Sequence, residues 1–136
     1  MLINESVTMS NKIINTKDAP APIGPYSQAV LANNTLFVSG QIALDPQTGD
    51  LVKNDIQVET HQVMKNLGAI LQEAGATFSN VVKCSIFVKD LANFALINEV
   101  YGEYFFSENP PARETVEVSR LPKDVNVEIS CIAIIN

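Results

Sequence analysis

Two residues of this chain combine a chemically useful side chain with an unusual sequence environment. Arg113 follows a Pro-Pro-Ala segment, so its guanidinium starts from a stiff backbone and is suited to a bidentate grip on a carboxylate or phosphate. Glu128 lies in the apolar segment VNVEISCIAII, where a carboxylate is costly unless it is paired or hydrogen-bonded. Together with Tyr26 and the Ser39-Gly40 pair, they form the small set from which any chemistry must be built.

Each of these side chains also has a purely structural interpretation. Arg113 has Glu114 and Glu117 nearby in sequence, with which a surface arginine pairs. Glu128 can belong to a structural salt bridge, and Tyr26 can pack against the proline-rich loop around it. The spacing alone leaves both interpretations open for all three residues.

The composition excludes several kinds of site. The chain has 136 residues, of which 46% are apolar, as expected of one domain with a real core. One histidine, His61, and two cysteines, Cys84 and Cys131, are too few for a zinc site or a disulfide scaffold, and the alternating apolar pattern around both cysteines predicts buried, reduced thiols. His61 lies on a predicted helix without a partner motif, which favours a structural or solvated role. The motifs GxSxG, GxGxxG, HExxH and a phosphate loop are absent, so we expect no metal and no cofactor.

Charge and hydropathy restrict the partners. A net charge of −6 means that a nucleic-acid surface would have to be local, and we expect no nucleic acid as a partner. No window holds the ~18 consecutive apolar residues of a membrane span, and the N-terminus lacks the layout of a signal peptide. We therefore expect a cytoplasmic protein that does not bind membranes. Residues 1–8 are polar and unpatterned, and we expect them to be a flexible extension before a domain at 9–136.

The first part of the chain predicts strands around a stiff loop. Three prolines between residues 18 and 29 exclude a helix there and make this loop extended, and a fourth, Pro46, follows further on. The Asn33-Asn34 pair is typical of a tight hairpin turn, and residues 45–49 have turn composition. The predicted strands are 11–16, 29–32 and 35–42, with Ser39-Gly40 near the end of the third.

The rest of the chain predicts two helices and three strands. A helical period begins at Asp55, a plausible N-cap, and ends before Gly75, and it includes Val58 in the apolar stripe. Alternation predicts a strand at 81–89, helical spacing predicts a helix at 91–106, and two strands follow at 113–120 and 125–135. This order predicts an α+β two-layer sandwich, with two helices on one face of an approximately six-stranded mixed sheet. Ile132 and Ile134 share a face with Glu128 in the last strand, so the other sheet face is partly apolar and favours association.

Four segments together resemble one family. They are APIGPYSQA at 21–29, FVSGQI at 37–42, VVKCSIFVKDL at 81–91 and PARETVEVSRLPKDVNVEISCIA at 111–133. The chain resembles the RidA (YjgF-like) family of reactive intermediate deaminases over residues 11–135. The resemblance implies a chorismate-mutase-like fold and a homotrimer whose sheets pack together inside and whose helices face outward. That arrangement would cover the apolar sheet face.

The resemblance also implies an activity and a set of site residues. Members hydrolyse enamine and imine intermediates, such as 2-aminoacrylate and 2-iminopropionate, to 2-keto acids and ammonia, without metal or cofactor, in sites shared between subunits. By position, Arg113 would hold the substrate carboxylate and Glu128 would orient the water. The implied substrate-binding residues are Tyr26, Ser39, Gly40, Asn98 and Thr115, the last standing where the deaminase branch usually has cysteine.

Two other functions stay open from the sequence. The same cleft could bind a 2-keto acid without turnover, as a regulatory module, and Thr115 in place of cysteine keeps this alternative open. Some relatives are described as translation inhibitors or ribonucleases, which raises an RNA-directed role. The charge of −6 and the absence of tryptophan argue against RNA here.

Overall fold

The computed structural model describes residues 11–105 and 107–136, and the extension predicted at 1–8 lies outside them. The helices are α1 (Ile56–Glu73) and α2 (Phe94–Tyr104). The strands are β1 (Lys12–Ile14), β2 (Ala29–Ala32), β3 (Thr35–Gln41), β4 (Val81–Val88), β5 (Ala112–Glu117) and β6 (Val127–Ile134). Short 3₁₀ turns occur at Phe78–Asn80, Leu91–Asn93 and Pro122–Asp124. The predicted order of helices and strands is confirmed.

The six strands form one mixed sheet in the order β1-β2-β3-β6-β4-β5. Every neighbouring pair is antiparallel except β4 and β5, which run parallel. Asn33 has φ 56° in the turn between β2 and β3, as the Asn-Asn pair predicts. The last connection places β6 between β3 and β4, so β6 is central and β5 forms a free edge.

Both helices cover one face of the sheet, and the core lies between the two layers. Helix α1 begins at Asp55, whose carboxylate accepts a hydrogen bond from the Val58 amide at 2.8 Å, and ends before Gly75 at φ 83°. Val58 itself is 42% exposed, so its place in the predicted apolar stripe is wrong. In the first turn of α1 it is Glu59 that faces the core, where it is buried and accepts two hydrogen bonds from Asn126. None of the helices within residues 11–105 and 107–136 has the length and hydropathy that a membrane span requires.

The ends of helices and strands differ from the predicted ones where local hydrogen bonds override the periodicity of apolar residues. The predicted helix at 91–106 begins with a 3₁₀ turn because Asp90 caps it through the Ala92 amide at 2.9 Å; the last helical residue is Tyr104, and Phe106 lies outside the described residues. Strand β6 begins at residue 127 and not at 125, since the Asn126 amide donates to the Glu59 carboxylate at 2.8 Å and not to a neighbouring strand.

The sheet face opposite the helices is partly apolar and carries no helix in the described ranges. Burial alternates along β6, with Glu128, Ser130, Ile132 and Ile134 on this outer face. Phe37 is paired with Ile132 and with Val30 on neighbouring strands, and it is 48% exposed. This pattern confirms that the outer face is partly apolar, as predicted.

Candidate active site

A β-bulge shapes the sheet beside Glu128. Val38 pairs with Cys131 and Gln41 with Ile129, so three steps along β3 match two along β6. The extra residue lies at Ser39-Gly40, and bulges of this kind redirect side chains next to functional sites. The Ser39 amide donates to the Gln28 carbonyl at 2.9 Å, and its hydroxyl donates to the Ser27 carbonyl at 2.6 Å. The bulge is thereby tied to the loop that carries Tyr26.

Gln28 holds that loop in place, and the sequence analysis missed its role. Its side chain is 1% exposed, and its amide nitrogen donates to the carbonyls of Thr16, Ala19 and Pro20 at 3.0, 3.3 and 2.9 Å. Its amide oxygen accepts from the Thr16 amide at 2.7 Å. A proline-rich segment has few amides with which to bond itself, so a polar side chain at the end of the loop is the signal that could have indicated this role.

The loop, the bulge and β6 enclose a cavity of about 400 Å³. Four of the predicted site residues line it: Tyr26, Ser39, Gly40 and Glu128. The remaining wall is mostly apolar and includes Ile23, Ile42 and Leu44. A concave apolar pocket with a few convergent polar groups is typical of a small-molecule site.

Glu128 contributes a carboxyl group to the lining of this cavity. Burial raises its pKa above the usual range of a glutamate. It forms no ion pair among the described residues, so the structural salt bridge left open by the sequence is not found. A carboxyl group with a raised pKa accepts and returns protons closer to neutral pH, as a general acid or base requires.

Gly40 makes room for this carboxyl group. A Cβ at position 40 would lie 2.9 Å from Cδ of Glu128 and would overlap one of the carboxylate oxygens. The absence of a side chain at Gly40 is therefore required by the position of Glu128 and not by backbone conformation, since its φ is not positive.

The three other predicted residues form a second cluster between α2 and the free edge β5. Arg113 donates from Nη1 to Oδ1 of Asn98 at 2.6 Å. Its guanidinium carbon lies 5.0 Å from the centroid of the Tyr101 ring and 5.5 Å from that of Phe94. These neighbours are uncharged, so the arginine is held in place without neutralisation of its charge.

The acidic neighbours of Arg113 are engaged elsewhere. Glu114 pairs with Lys83 at 3.1 Å and accepts a hydrogen bond from Ser85, and Glu117 accepts from the Leu91 amide at 3.0 Å. Arg113 makes no ion pair within the described ranges. The interpretation of Arg113 as a partner of either glutamate is therefore wrong, and its positive charge is available to an anion.

Thr115 offers backbone groups at the free edge of the sheet. The amide of Val118 donates to the carbonyl of Val88 in β4 at 2.9 Å, so the backbone groups of Val118 face β4. Along a strand, the N–H and C=O groups of successive residues point alternately to the two sides. Those of Arg113 and Thr115, an odd number of residues away, therefore point away from β4. The Thr115 hydroxyl is buried and has no hydrogen-bond partner among the described residues.

The two clusters lie on opposite faces of one chain. Arg113 pairs with Cys84, which faces the helices, whereas Glu128 pairs with Phe87 and faces the open side. Arg113 is absent from the residues that line the cavity of Glu128. The structure thus brings together four predicted residues in one half and three in the other, and it does not join the halves within a single chain.

The residues to which the sequence assigns no chemistry have structural partners. His61 Nδ1 lies 3.0 Å from the Tyr104 hydroxyl, and its Nε2 lies 3.8 Å from Glu103. Cys84 and Cys131 are free, buried thiols, as predicted, and burial raises the pKa of both. Within residues 11–105 and 107–136, no three histidine, cysteine, aspartate or glutamate side chains come together as metal ligands.

Comparison with known proteins finds relatives with similar sequences and a similar structure. The family model described as Endoribonuclease L-PSP matches residues 16–135. A RutC family protein of Synechocystis is 55% identical over 128 residues, covering 93% of this chain and 98% of the relative. The human 2-iminobutanoate/2-iminopropanoate deaminase is 45% identical over 127 residues, covering 93% of this chain and 92% of the relative. The crystal structure of a Rid family protein from Yersinia pestis superposes with a TM-score of 0.90 at 49% identity, covering 93% and 100% of the two chains.

Proposed function

The chain belongs to the endoribonuclease L-PSP family, which includes the Rid proteins, and from this premise we propose that it hydrolyses 2-imino and 2-enamine acids to 2-keto acids and ammonia. The observation that carries the proposal is Glu128. This carboxyl group has a pKa raised by burial, makes no ion pair among the described residues and faces a cavity shared with Tyr26 and Gly40.

The complete site is formed between two copies of the chain in a homotrimer. The separation of the site residues into two clusters supports this arrangement, because Arg113 and Glu128 lie on opposite faces of one sheet and cannot contact the same substrate molecule. The exposed apolar face around Phe37 and Ile132 supports it as well, since sheet-to-sheet association would bury that face. In the trimer, the free edge with Arg113 closes the Glu128 cavity of the next subunit.

The roles of Arg113 and Glu128 follow from the chemistry of imine hydrolysis. Arg113, oriented by Asn98, binds the substrate carboxylate, and the backbone groups of Thr115 and Gly40 hold the imine. Glu128 orients one water molecule and accepts a proton from it as the oxygen attacks the imine carbon. The protonated carboxyl group then returns the proton to the nitrogen, which gives a neutral carbinolamine. Glu128 next takes the hydroxyl proton of this intermediate and passes it to the amino nitrogen, so that the C=O bond forms as the C–N bond breaks, and ammonia and the keto acid leave. An enamine substrate reacts as its imine tautomer. The carbon is already electrophilic, so positioning is the main effect that the protein supplies.

A coupled assay tests this activity. A pyridoxal-phosphate-dependent threonine dehydratase releases the unstable four-carbon enamine, and keto-acid formation is followed with and without the chain. We expect faster keto-acid formation with the chain, and no acceleration by Glu128→Gln, which removes the proton acceptor. Tight binding of 2-oxobutanoate without acceleration would instead identify a regulatory binding module.

An RNA-directed role, suggested by the name of the family model, has less physical support. The net charge is −6, and His61 is engaged with Tyr104 at 3.0 Å. The cavity of Glu128 has no basic residue in its lining. Phosphate contacts dominate RNA affinity, and a wall of this composition would repel them. A salt-dependent RNA-binding titration would show binding if this role were present.

Gly40→Ala should lower kcat by about tenfold or more, because the new Cβ displaces the carboxylate that orients the water. The matched control is Gly102→Ala on α2, where a Cβ meets nothing within 4 Å. We expect the control to keep kcat and to gain about 0.5–1 kcal/mol of stability from better helix propensity. An unchanged kcat in Gly40→Ala would contradict the assigned position of Glu128.

A further inference from the structure

Helix α2 presents one stripe of side chains to a single guanidinium. Phe94, Asn98 and Tyr101 occupy positions i, i+4 and i+7, which share one face of a helix. All three contact Arg113: the amide oxygen at 2.6 Å and the two rings at 5.5 and 5.0 Å. A planar cation over an aromatic face is attracted by the ring, and most strongly where water is excluded.

Tyr101 is the fixed member of this stripe. It is 6% exposed, whereas Phe94 is 38% exposed. Its ring packs against Phe105 with 4.7 Å between centroids, and its hydroxyl lies beside the buried thiol of Cys84, the residue opposite Arg113 in the sheet. Because the ring is immobilised by folding, it loses no freedom when a ligand binds.

We propose that Tyr101 is a positioning residue that holds the Arg113 guanidinium in its carboxylate-binding orientation through the face of its ring. The inference rests on the proposed function of Arg113 and deepens it. An aspartate or glutamate in this place would orient the arginine equally well, but it would neutralise the charge that a substrate carboxylate needs. An aromatic ring and an amide orient the cation and leave it positive.

Replacement of Tyr101 should weaken binding of the substrate carboxylate and leave the chemical step unchanged. Tyr101→Leu should raise KM for the imine and the dissociation constant of 2-oxobutanoate by about tenfold, with kcat within about twofold of wild type. Tyr101→Phe keeps the ring face and should stay close to wild type in both constants. Tyr104→Leu is the matched control, since Tyr104 lies on the same helix and contacts His61 and Phe78.

Two further measurements separate this role from simple loss of packing. Trifluorinated phenylalanine at position 101 keeps the shape of the ring but weakens its attraction for a cation, and should raise the dissociation constant by about fivefold relative to Tyr101→Phe. The neutral amide of 2-oxobutanoate, which lacks the carboxylate, should bind all variants equally.

Equal affinity of the fluorinated and unfluorinated rings for 2-oxobutanoate would overturn the role of Tyr101, as would parallel losses for the acid and the amide. Arg113→Ala separates this failure from failure of the proposed site. If Arg113→Ala loses carboxylate affinity while the fluorinated ring does not, only the inference about Tyr101 fails. If Arg113→Ala keeps carboxylate affinity, the assignment of Arg113 fails first.

Discussion

Arg113→Ala should lower kcat/KM for a freshly generated 2-imino acid by about a thousandfold. In the proposed site the guanidinium donates charge-assisted hydrogen bonds to the substrate carboxylate, each contributing about 1.5–3 kcal/mol, and two such bonds account for a loss of this size. The loss should appear in KM and in kcat, because a substrate without its anchor also misplaces the imine carbon relative to the water. The measurement is the initial rate of keto-acid release in the coupled assay.

Arg120→Ala is the matched control, since the chain has only two arginines among its nine Lys and Arg residues. Arg120 is exposed and bridges Asp124 at 2.8 Å, an i,i+4 surface pair that contributes little to stability. We expect its kcat/KM to stay within about twofold of wild type. Arg113→Lys should fall between the two, since an ammonium lacks the planar fork that Asn98 and Tyr101 hold. A near-normal KM in Arg113→Ala would remove this residue from the site.

The order of elements could be predicted from sequence because helix and strand periods differ. The helix from Asp55 to Gly75 has clear capping residues at both ends, and the structure confirms them. The start of α2 was missed because Asp90 hydrogen-bonds the Ala92 amide and makes a 3₁₀ turn, a local choice that apolar spacing does not report. Val58 was misplaced for a similar reason, since Glu59 reaches the core through its bonds to Asn126.

The site residues and the sharing of each site between subunits could be named from the resemblance, but the sheet face on which each residue lies could not. Whether Arg113 and Glu128 share a face depends on the registers in which β5 and β6 pair with β4, and these arise only when distant strands pair. The roles of Gln28 and Tyr101 were missed because their partners are 8–12 residues away, or on another element, and follow no periodic spacing. Sequence patterns report local geometry, and these contacts are tertiary.

Mixed oligomers of two inactive variants should recover activity. Arg113→Ala and Glu128→Gln chains should each lose about a thousandfold in kcat/KM alone, since general acid–base groups contribute effects of that order. In a cyclic trimer with shared sites, a site is intact when an unmutated Arg113 faces an unmutated Glu128 of the next chain. Random mixing in equal amounts makes this true for about a quarter of sites, so about a quarter of wild-type activity should return.

A second mixture distinguishes shared sites from sites within one chain. Wild type mixed equally with the Arg113→Ala/Glu128→Gln double variant should retain about a quarter of full activity if sites are shared, because both neighbours must be wild type. Sites contained in one chain would leave about half of full activity in this mixture and none in the mixture of single variants. The two mixtures therefore move in opposite directions under the two arrangements. Equal values near a quarter would show that the opposite faces carrying Arg113 and Glu128 are joined only across a subunit boundary.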